Sequence, residues 1–274
     1  MNTIPFWKMS GSGNDFVMID AREELTLPVC MSEFVKKVCR RGLSVGADGV
    51  VLVTRSEKAD YAWHFYNADG GEVAMCGNGS RCVARFAYLN QIAPAQHTIE
   101  TLAGIVHAEV DQERVRVQLT DPTDIRLHLN VLINGVMHEG HFVNTGVPHV
   151  VYFVDDVEKV NLVELGRATR YHALFSPAGT NANFVQIMNN HLIKIRTYER
   201  GVEDETLACG TGSVAAAVIG SALEKTNRSI SVETRSGILL SVDFKQDAER
   251  FRNVTLQGDA RIIYKGELSE EALL

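Results

Sequence analysis

No block of lysine and arginine occurs anywhere in the 274 residues, and the formal net charge is −7. An extended cationic face for nucleic acid is therefore excluded, and any anionic ligand must be held by local groups. No apolar run approaches the roughly 20 residues of a membrane-spanning helix. The opening Met1-Asn-Thr-Ile-Pro-Phe-Trp-Lys8 lacks the charged-then-apolar order of a secretory signal. Cysteine is sparse and odd in number, with five residues and no Cys-x-x-Cys pair. A disulfide scaffold and a structural zinc site fit poorly, and no metal is expected. Free thiols without an export signal suit a reducing compartment, so the expected location is the cytoplasm. With 45% hydrophobic and 22% charged residues, the composition is globular, and the length allows two domains, each with its own core.

What the chain does have is repetition. Cys76-Gly77-Asn78-Gly79 recurs as Cys209-Gly210-Thr211-Gly212, each followed by serine, at an offset of 133 residues. The same offset relates Gly13 to Gly146, Gly46 to Gly179, and Glu100-Thr101-x-x-Gly104-Ile105 to Glu233-Thr234-x-x-Gly237-Ile238. Shared spacing at several anchors identifies two divergent copies of one unit. Each copy presents a cysteine at the start of a small-residue helix. A pair of like groups related by approximate two-fold symmetry suits a reaction with two faces, such as inversion of a carbon centre.

Local patterns give both copies the same order. In the first, residues 9–15 read as a loop leading into a strand at 16–19. A short amphipathic helix over 32–40, strands at 50–54 and 61–66, a helix over 80–90 and strands at 97–101, 105–110 and 115–119 follow. In the second, Asn134-Gly135 signals a hairpin. A strand at 150–154, a helix at 162–170, and strands at 184–188 and 192–198 joined across Asn189-Asn190 come next. A helix over 213–223 precedes strands at 230–234, 238–244 and 254–257. That helix is small or apolar on every side, which predicts burial all round, as a central helix wrapped by strands. The predicted domains are residues 1–121, to which 263–274 are expected to return, and 122–262.

A helix start offers unpaired N–H groups and partial positive charge, and glycines let the backbone close around a carboxylate or phosphate. The same dipoles stabilise a thiolate, lowering a thiol pKa from its free value of ~8.5. Isolated cysteines are usually small buried hydrophobes, and Cys30, Cys39 and Cys82, without a counterpart in the other copy, are read that way. Duplication in one Gly-rich frame sets Cys76 and Cys209 apart as reactive candidates. An alternative is a phosphate- or nucleotide-binding module, since Gly210-Thr-Gly-Ser213 resembles a dinucleotide-type loop. Such loops normally follow the first strand of an α/β unit, whereas both here come late.

These stretches together resemble the diaminopimelate epimerase family over nearly the whole length. The matching segments are Lys8-Met-Ser-Gly-Ser-Gly-Asn-Asp-Phe16, Phe65-Tyr-Asn-Ala-Asp-Gly70, Met75-Cys-Gly-Asn-Gly-Ser-Arg-Cys82, Gly146-Val-Pro-His149, Tyr198-Glu-Arg-Gly201 and Glu205-Thr-Leu-Ala-Cys-Gly-Thr-Gly212. The resemblance implies an α/β (α+β) fold of two pseudo-symmetric domains, each a mostly antiparallel sheet or barrel around a central helix, with the site between them. It implies epimerisation of LL-diaminopimelate to the meso isomer for lysine and peptidoglycan synthesis, without pyridoxal phosphate, metal or other cofactor. The partner is a small amino-acid substrate, with no nucleic acid or membrane, and the chain is expected to form a homodimer.

Carried over, Cys76 and Cys209 are the acid–base pair. Gly77, Asn78, Gly210 and Thr211 hold the α-carboxylate. Asn14, Asn67, Asn181 and Arg200, with Glu199 nearby, bind the distal end, and His149 and Glu199 adjust cysteine ionisation. Each of these also has an ordinary reading: asparagines support turns, His149 is a satisfied buried histidine, and Glu199-Arg200 is a surface pair. The chain departs from the family pattern at Ser10 and Ser12, where His and Leu are common. It departs again at Val147, where many members carry a substrate-contacting asparagine, which leaves distal selectivity open. A racemase of another amino acid on the same fold is the alternative within enzymes.

Overall fold

The computed structural model describes residues 3–23, 25–247 and 250–274. It divides into two compact units, one formed by the residues up to Val117 with Gly258–Leu274, the other by Gln118–Gln257. Among the described residues no helix is long and apolar enough to cross a membrane.

The first unit contains β1 (Ile4–Gly11), β2 (Asn14–Asp20), α1 (Met31–Cys39), β3 (Gly49–Thr54), β4 (Tyr61–Asn67), β5 (Glu72–Val73), α2 (Gly77–Leu89), β6 (Gln96–Thr101), β7 (Gly104–Asp111) and β8 (Arg114–Gln118). Residues 9–15, expected as a loop, instead form a hairpin. β1 pairs antiparallel with β2, and Ser12 and Gly13 turn the chain with φ of 57° and 93°. Two successive positive φ values are what a tight two-residue hairpin needs. The run of Gly and Ser hid the strand because it lacks the β-branched residues that mark one.

The second unit contains β9 (Thr123–Ile133), β10 (Val136–Asn144), β11 (Pro148–Phe153), α3 (Leu162–Arg170), β12 (Asn181–Asn189), β13 (Leu192–Glu199), β14 (Asp204–Thr206), α4 (Gly210–Ala222), β15 (Ser229–Glu233), β16 (Leu239–Asp247) and β17 (Arg250–Asp259). The hairpins at Asn134-Gly135 and at Asn189-Asn190 form as the turn residues predict. The chain then returns to the first unit as β18 (Arg261–Leu268), antiparallel to β1.

The two units share one strand order. The first runs β18-β1-β2-β3-β4-β6-β7-β8, with β2–β3 and β4–β6 parallel and the rest antiparallel. The second runs β9-β10-β11-β12-β13-β15-β16-β17, with β11–β12 and β13–β15 parallel. Helix α2 packs against β1, β2, β3 and β7, and α4 against β10 to β13, β15 and β16. Helix α4 is buried around its whole circumference from Gly212 through Ser221, which is why its sequence has no polar face. The opposite sheet faces are closed by α1, through Phe34, Val35 and Val38 against Val17, Ile19 and Val50, and by α3, through Leu162 in the cluster with Tyr152 and Phe184. Strands covered on both sides read as unbroken apolar runs, as in Val50-Val-Leu-Val53.

An ion cluster anchors the β1–β2 hairpin. Buried Lys8 pairs with Asp15 at 2.8 Å and also reaches the Gly46 carbonyl, while Arg41 bridges Asp15 and Asp48. Burial pushes the Asp15 carboxyl up, but hydrogen bonds from Arg41 and Lys8 outweigh it and hold its pKa at about 2, below the ordinary 3.8. Because the folded pKa is depressed, the stabilisation is present above the unfolded value and is lost as pH falls through the folded one. Asp15→Asn is therefore expected to lose about 2 kcal/mol at pH 7. Its urea midpoint should converge on wild type as pH drops from about 4 to about 2. A gap that stays constant over that interval would contradict this account.

Candidate active site

Each repeated cysteine is the N-cap of a buried helix. Cys76 precedes α2 with φ −149° and ψ 116°, and Cys209 precedes α4 with φ −114° and ψ 111°. The helices thus start at Gly77 and Gly210, three residues before the predicted Ser80 and Ser213. The glycine run is the first turn of each helix and not a preceding loop. The serine after each motif has one job in both units. Ser80 reaches the Cys76 carbonyl through its N–H at 2.8 Å and its hydroxyl at 2.9 Å. Ser213 does the same to Cys209, at 2.9 Å by both groups. Glycine is needed at 212, since a Cβ there would lie 2.5 Å from Asn183 Oδ1 and 3.3 Å from Cys209 Sγ.

In the first unit, Gly79 N–H donates to Cys76 Sγ at 3.4 Å, and the sulfur lies 3.9 Å from Asn14 Oδ1. Asn78 Nδ2 is 3.5 Å from the same Asn14 oxygen, while Asn14 Nδ2 donates to Asp48 at 2.5 Å. Behind them sits the wholly buried Arg81, which donates to Asn78 Oδ1 (3.0 Å), Ser12 Oγ (2.9 Å), the Gly77 carbonyl (3.3 Å) and the Asp259 carbonyl (3.2 Å). Cys76, Gly77, Asn78 and Asn14 are thereby brought together. Asn67 ends β4 with an exposed side chain, and its backbone closes the turn over Gly70 and Gly71.

In the second unit, Cys209 Sγ is 3.5 Å from Thr211 Oγ1, which is 3.0 Å from His149 Nε2. His149 Nδ1 is 3.1 Å from Asn183 Nδ2. Burial, and after it the positive charge of Arg200, drive the His149 pKa down to about 3, so the ring is neutral at physiological pH. The Thr145 hydroxyl donates to the Thr211 carbonyl at 3.1 Å, tying the start of α4 to the end of β10. Asn181 is engaged at both ends of its amide: Nδ2 donates to the Pro148 carbonyl at 2.9 Å, and Oδ1 accepts from Arg200 N–H at 2.7 Å. It braces the β13 end that carries Glu199 and Arg200. Glu199 accepts from the Thr206 hydroxyl at 2.8 Å, and Arg200 donates to the Ala178 carbonyl at 3.1 Å.

The remaining cysteines behave as packing residues or lie apart from the motifs. Burial raises the Cys39 thiol to about 12 and Cys82 higher still, so both stay protonated; Cys30, expected to be a buried hydrophobe, is instead exposed at the N-cap of α1. Sequence reasoning passed over Arg81, Asn183, Thr145 and Thr197. Asn183 had a signal, since it lies two residues beyond Asn181 and so on the same strand face. Arg81 had one too, as a guanidinium among the small residues that open α2, Gly77-Asn-Gly-Ser80 before it and Cys82 after it.

A family model described as diaminopimelate epimerase matches residues 6–125 and 141–263. The chain is 47% identical to the diaminopimelate epimerase of Aquifex aeolicus, with 98% of this chain and 99% of that protein covered. It is 43% identical to the enzyme of that name from Archaeoglobus fulgidus, over 89% and 90% of the two chains. Among solved structures, a phenazine biosynthesis protein of the PhzF family from Bacillus anthracis superposes with TM-score 0.74 at 17% identity, covering 98% of this chain and all of that one. A hydroxyproline epimerase from Agrobacterium vitis gives TM-score 0.74 at 13% identity, over 98% and 93%. At such low identity these two establish a shared fold and nothing more.

Proposed function

We propose, from the premise that this chain belongs to the diaminopimelate epimerase family and is an isomerase, that Cys76 and Cys209 are the acid–base pair that turns LL-2,6-diaminopimelate into its meso isomer. One observation carries this reading. Each unit supplies one cysteine in the same N-cap frame, with the same serine lock on its carbonyl.

In this reading one sulfur, as thiolate, removes the α-proton and becomes a thiol. The other, as thiol, delivers a proton to the opposite face and becomes the thiolate. Protons balance, and the pair exchanges roles in the reverse direction. Charge building on the α-carbon spreads into the α-carboxylate. First-turn N–H groups at Gly77, Asn78, Gly210 and Thr211 are suited to hold it, since such groups lack intrahelical acceptors. Asn14, Asn67, Asn181 and Arg200, with Glu199, take the distal amino-acid end, and His149 and Glu199 tune the thiols. Val147 offers that end no hydrogen bond, so distal discrimination falls on the remaining polar groups. The same reading has a cytosolic homodimer, with a small amino acid and neither nucleic acid nor membrane as its partner. Reduced thiols, which this chemistry needs, persist in that compartment.

Incubation with LL-diaminopimelate in deuterated water tests the reading. The meso product is expected to carry deuterium at the inverted α-carbon, with proline, histidine and glutamate turned over far more slowly. Absence of both meso product and exchange would reject it. Faster turnover of one of the other amino acids would reassign the substrate.

A further inference from the structure

We infer that Asn183 is a positioning residue that acts through His149 on Thr211, whose hydroxyl proton is thereby held against Cys209 Sγ, making Cys209 the thiolate of the resting enzyme. This rests on the reading of Cys209 as an acid–base residue.

The direction of each hydrogen bond follows from its far end. The Val150 carbonyl can only accept, so the group 3.0 Å from it is the Asn183 amide nitrogen. The opposite end agrees, since Asn183 Oδ1 accepts from the Thr197 hydroxyl at 3.0 Å. That same nitrogen lies 3.1 Å from His149 Nδ1 and must donate to it, which makes Nδ1 the bare nitrogen of the ring. The neutral imidazole then carries its proton on Nε2 and donates it to Thr211 Oγ1 at 3.0 Å. With its oxygen accepting from the histidine, the Thr211 hydroxyl directs its own proton at Cys209 Sγ, 3.5 Å away. A donor aimed at sulfur favours the thiolate over the thiol.

The other unit shows that the fold does not need this polar chain. The β11–β12 pair His149↔Asn181 corresponds to Phe16↔Gly49 in β2–β3, and the β12–β13 pair Asn183↔Thr197 corresponds to Val51↔Phe65 in β3–β4. There the positions are filled by an apolar cluster in which the Phe16 and Phe65 rings meet edge-on at 5.7 Å. His149, Asn183 and Thr197 are just as buried. Burying polar groups is costly unless each is satisfied, so a fully connected polar chain in one unit alone marks a purpose beyond packing. Both sulfurs share the helix-start dipole, to which Gly79 N–H adds at Cys76, but their side-chain partners pull in opposite senses. Asn14, with its nitrogen committed to Asp48, turns an accepting oxygen toward Cys76 and so favours the thiol. The charged groups around the chain come from the end of β13: Arg200, whose charge bears on His149, and Glu199, bonded to Thr206 on the approach to Cys209.

Iodoacetamide alkylation of the full chain across pH, without substrate, with each cysteine followed by peptide mass spectrometry, reads this directly. In wild type Cys209 is expected to react at lower pH than Cys76. Thr211→Val and Asn183→Val should each slow Cys209 alkylation at pH 7 about tenfold and move its profile to higher pH, while leaving that of Cys76 in place. Thr211→Ser, which keeps the hydroxyl, should restore it. In turnover, kcat should fall with KM little changed. An unmoved Cys209 profile in Thr211→Val, an equal shift at Cys76, or a Thr211→Ser that behaves like valine would each overturn the proposal. Alkylation needs no turnover. A Cys209→Ser variant with full activity would instead sink the acid–base reading itself.

Discussion

Replacing either Cys76 or Cys209 by alanine is expected to cut kcat by roughly 10⁴-fold or more, with meso-diaminopimelate formation measured by chiral chromatography. A general acid or base is commonly worth about 10²–10⁴ in rate, and inversion needs both in one turnover. A chain with one thiol can remove or deliver a proton on one face but cannot do both. The double variant should therefore be no worse than either single, because the two groups act as a unit. Substrate affinity, read by calorimetry, should change far less, since backbone N–H groups of the first helical turns survive the substitution. Ser80 and Ser213 still hold the residue 76 and 209 carbonyls in place. Wild-type turnover in Cys76→Ala would remove the two-thiol mechanism at once.

The largest expected effect on stability comes from a residue that touches no substrate in this reading. Arg81 is fully buried and donates to four acceptors: Ser12 in the β1–β2 turn, Asn78 and Gly77 in the first turn of α2, and the carbonyl of Asp259, where the chain re-enters the first unit. Asp259 is in turn held by the Ser12 N–H and hydroxyl at 3.0 and 2.8 Å, and pairs with Arg261 at 2.9 Å. Arg81→Met keeps much of the stem volume but removes all four of these donated hydrogen bonds from a buried site. The cost should be about 3–5 kcal/mol in urea unfolding, the range for breaking a buried charged network by removing one partner. Arg81→Lys should fall between, because one ammonium cannot span the fork. A loss under about 1 kcal/mol, the worth of a single ordinary hydrogen bond, would show that the network is dispensable. The Ser12 hydroxyl is what joins the Asp259 carboxylate to Arg81.

Much of the architecture was legible because it depends on local pattern. Alternation marked β4, and Asn-Gly and Asn-Asn marked two hairpin turns. An all-small helix announced its burial at the centre of a sheet. What escaped were elements whose cause lies elsewhere in the chain. β1 and β18 are strands because they pair with each other, and β1 also with β2, although Gly, Ser, Pro and scattered charges weaken their own preference. The helix starts were misplaced for the same reason. Gly77-Asn-Gly79 has low intrinsic helicity, and it is helical because the serine lock and the Arg81 bonds hold it there.

The sequence by itself determined the duplication, the two cysteines and the residue types around them, since repeats and motifs are written in order along the chain. Only the tertiary structure decided what those residues do for one another. It showed that Asn181 braces Arg200, that Asn183 and not a charged group orients His149, and that the two units surround equivalent sulfurs with different partners. The physical reason is that hydrogen-bond direction is set by the far end of each chain of contacts. Val150, Thr197 and Asp48 are those ends, and they come from strands and loops that folding alone brings together.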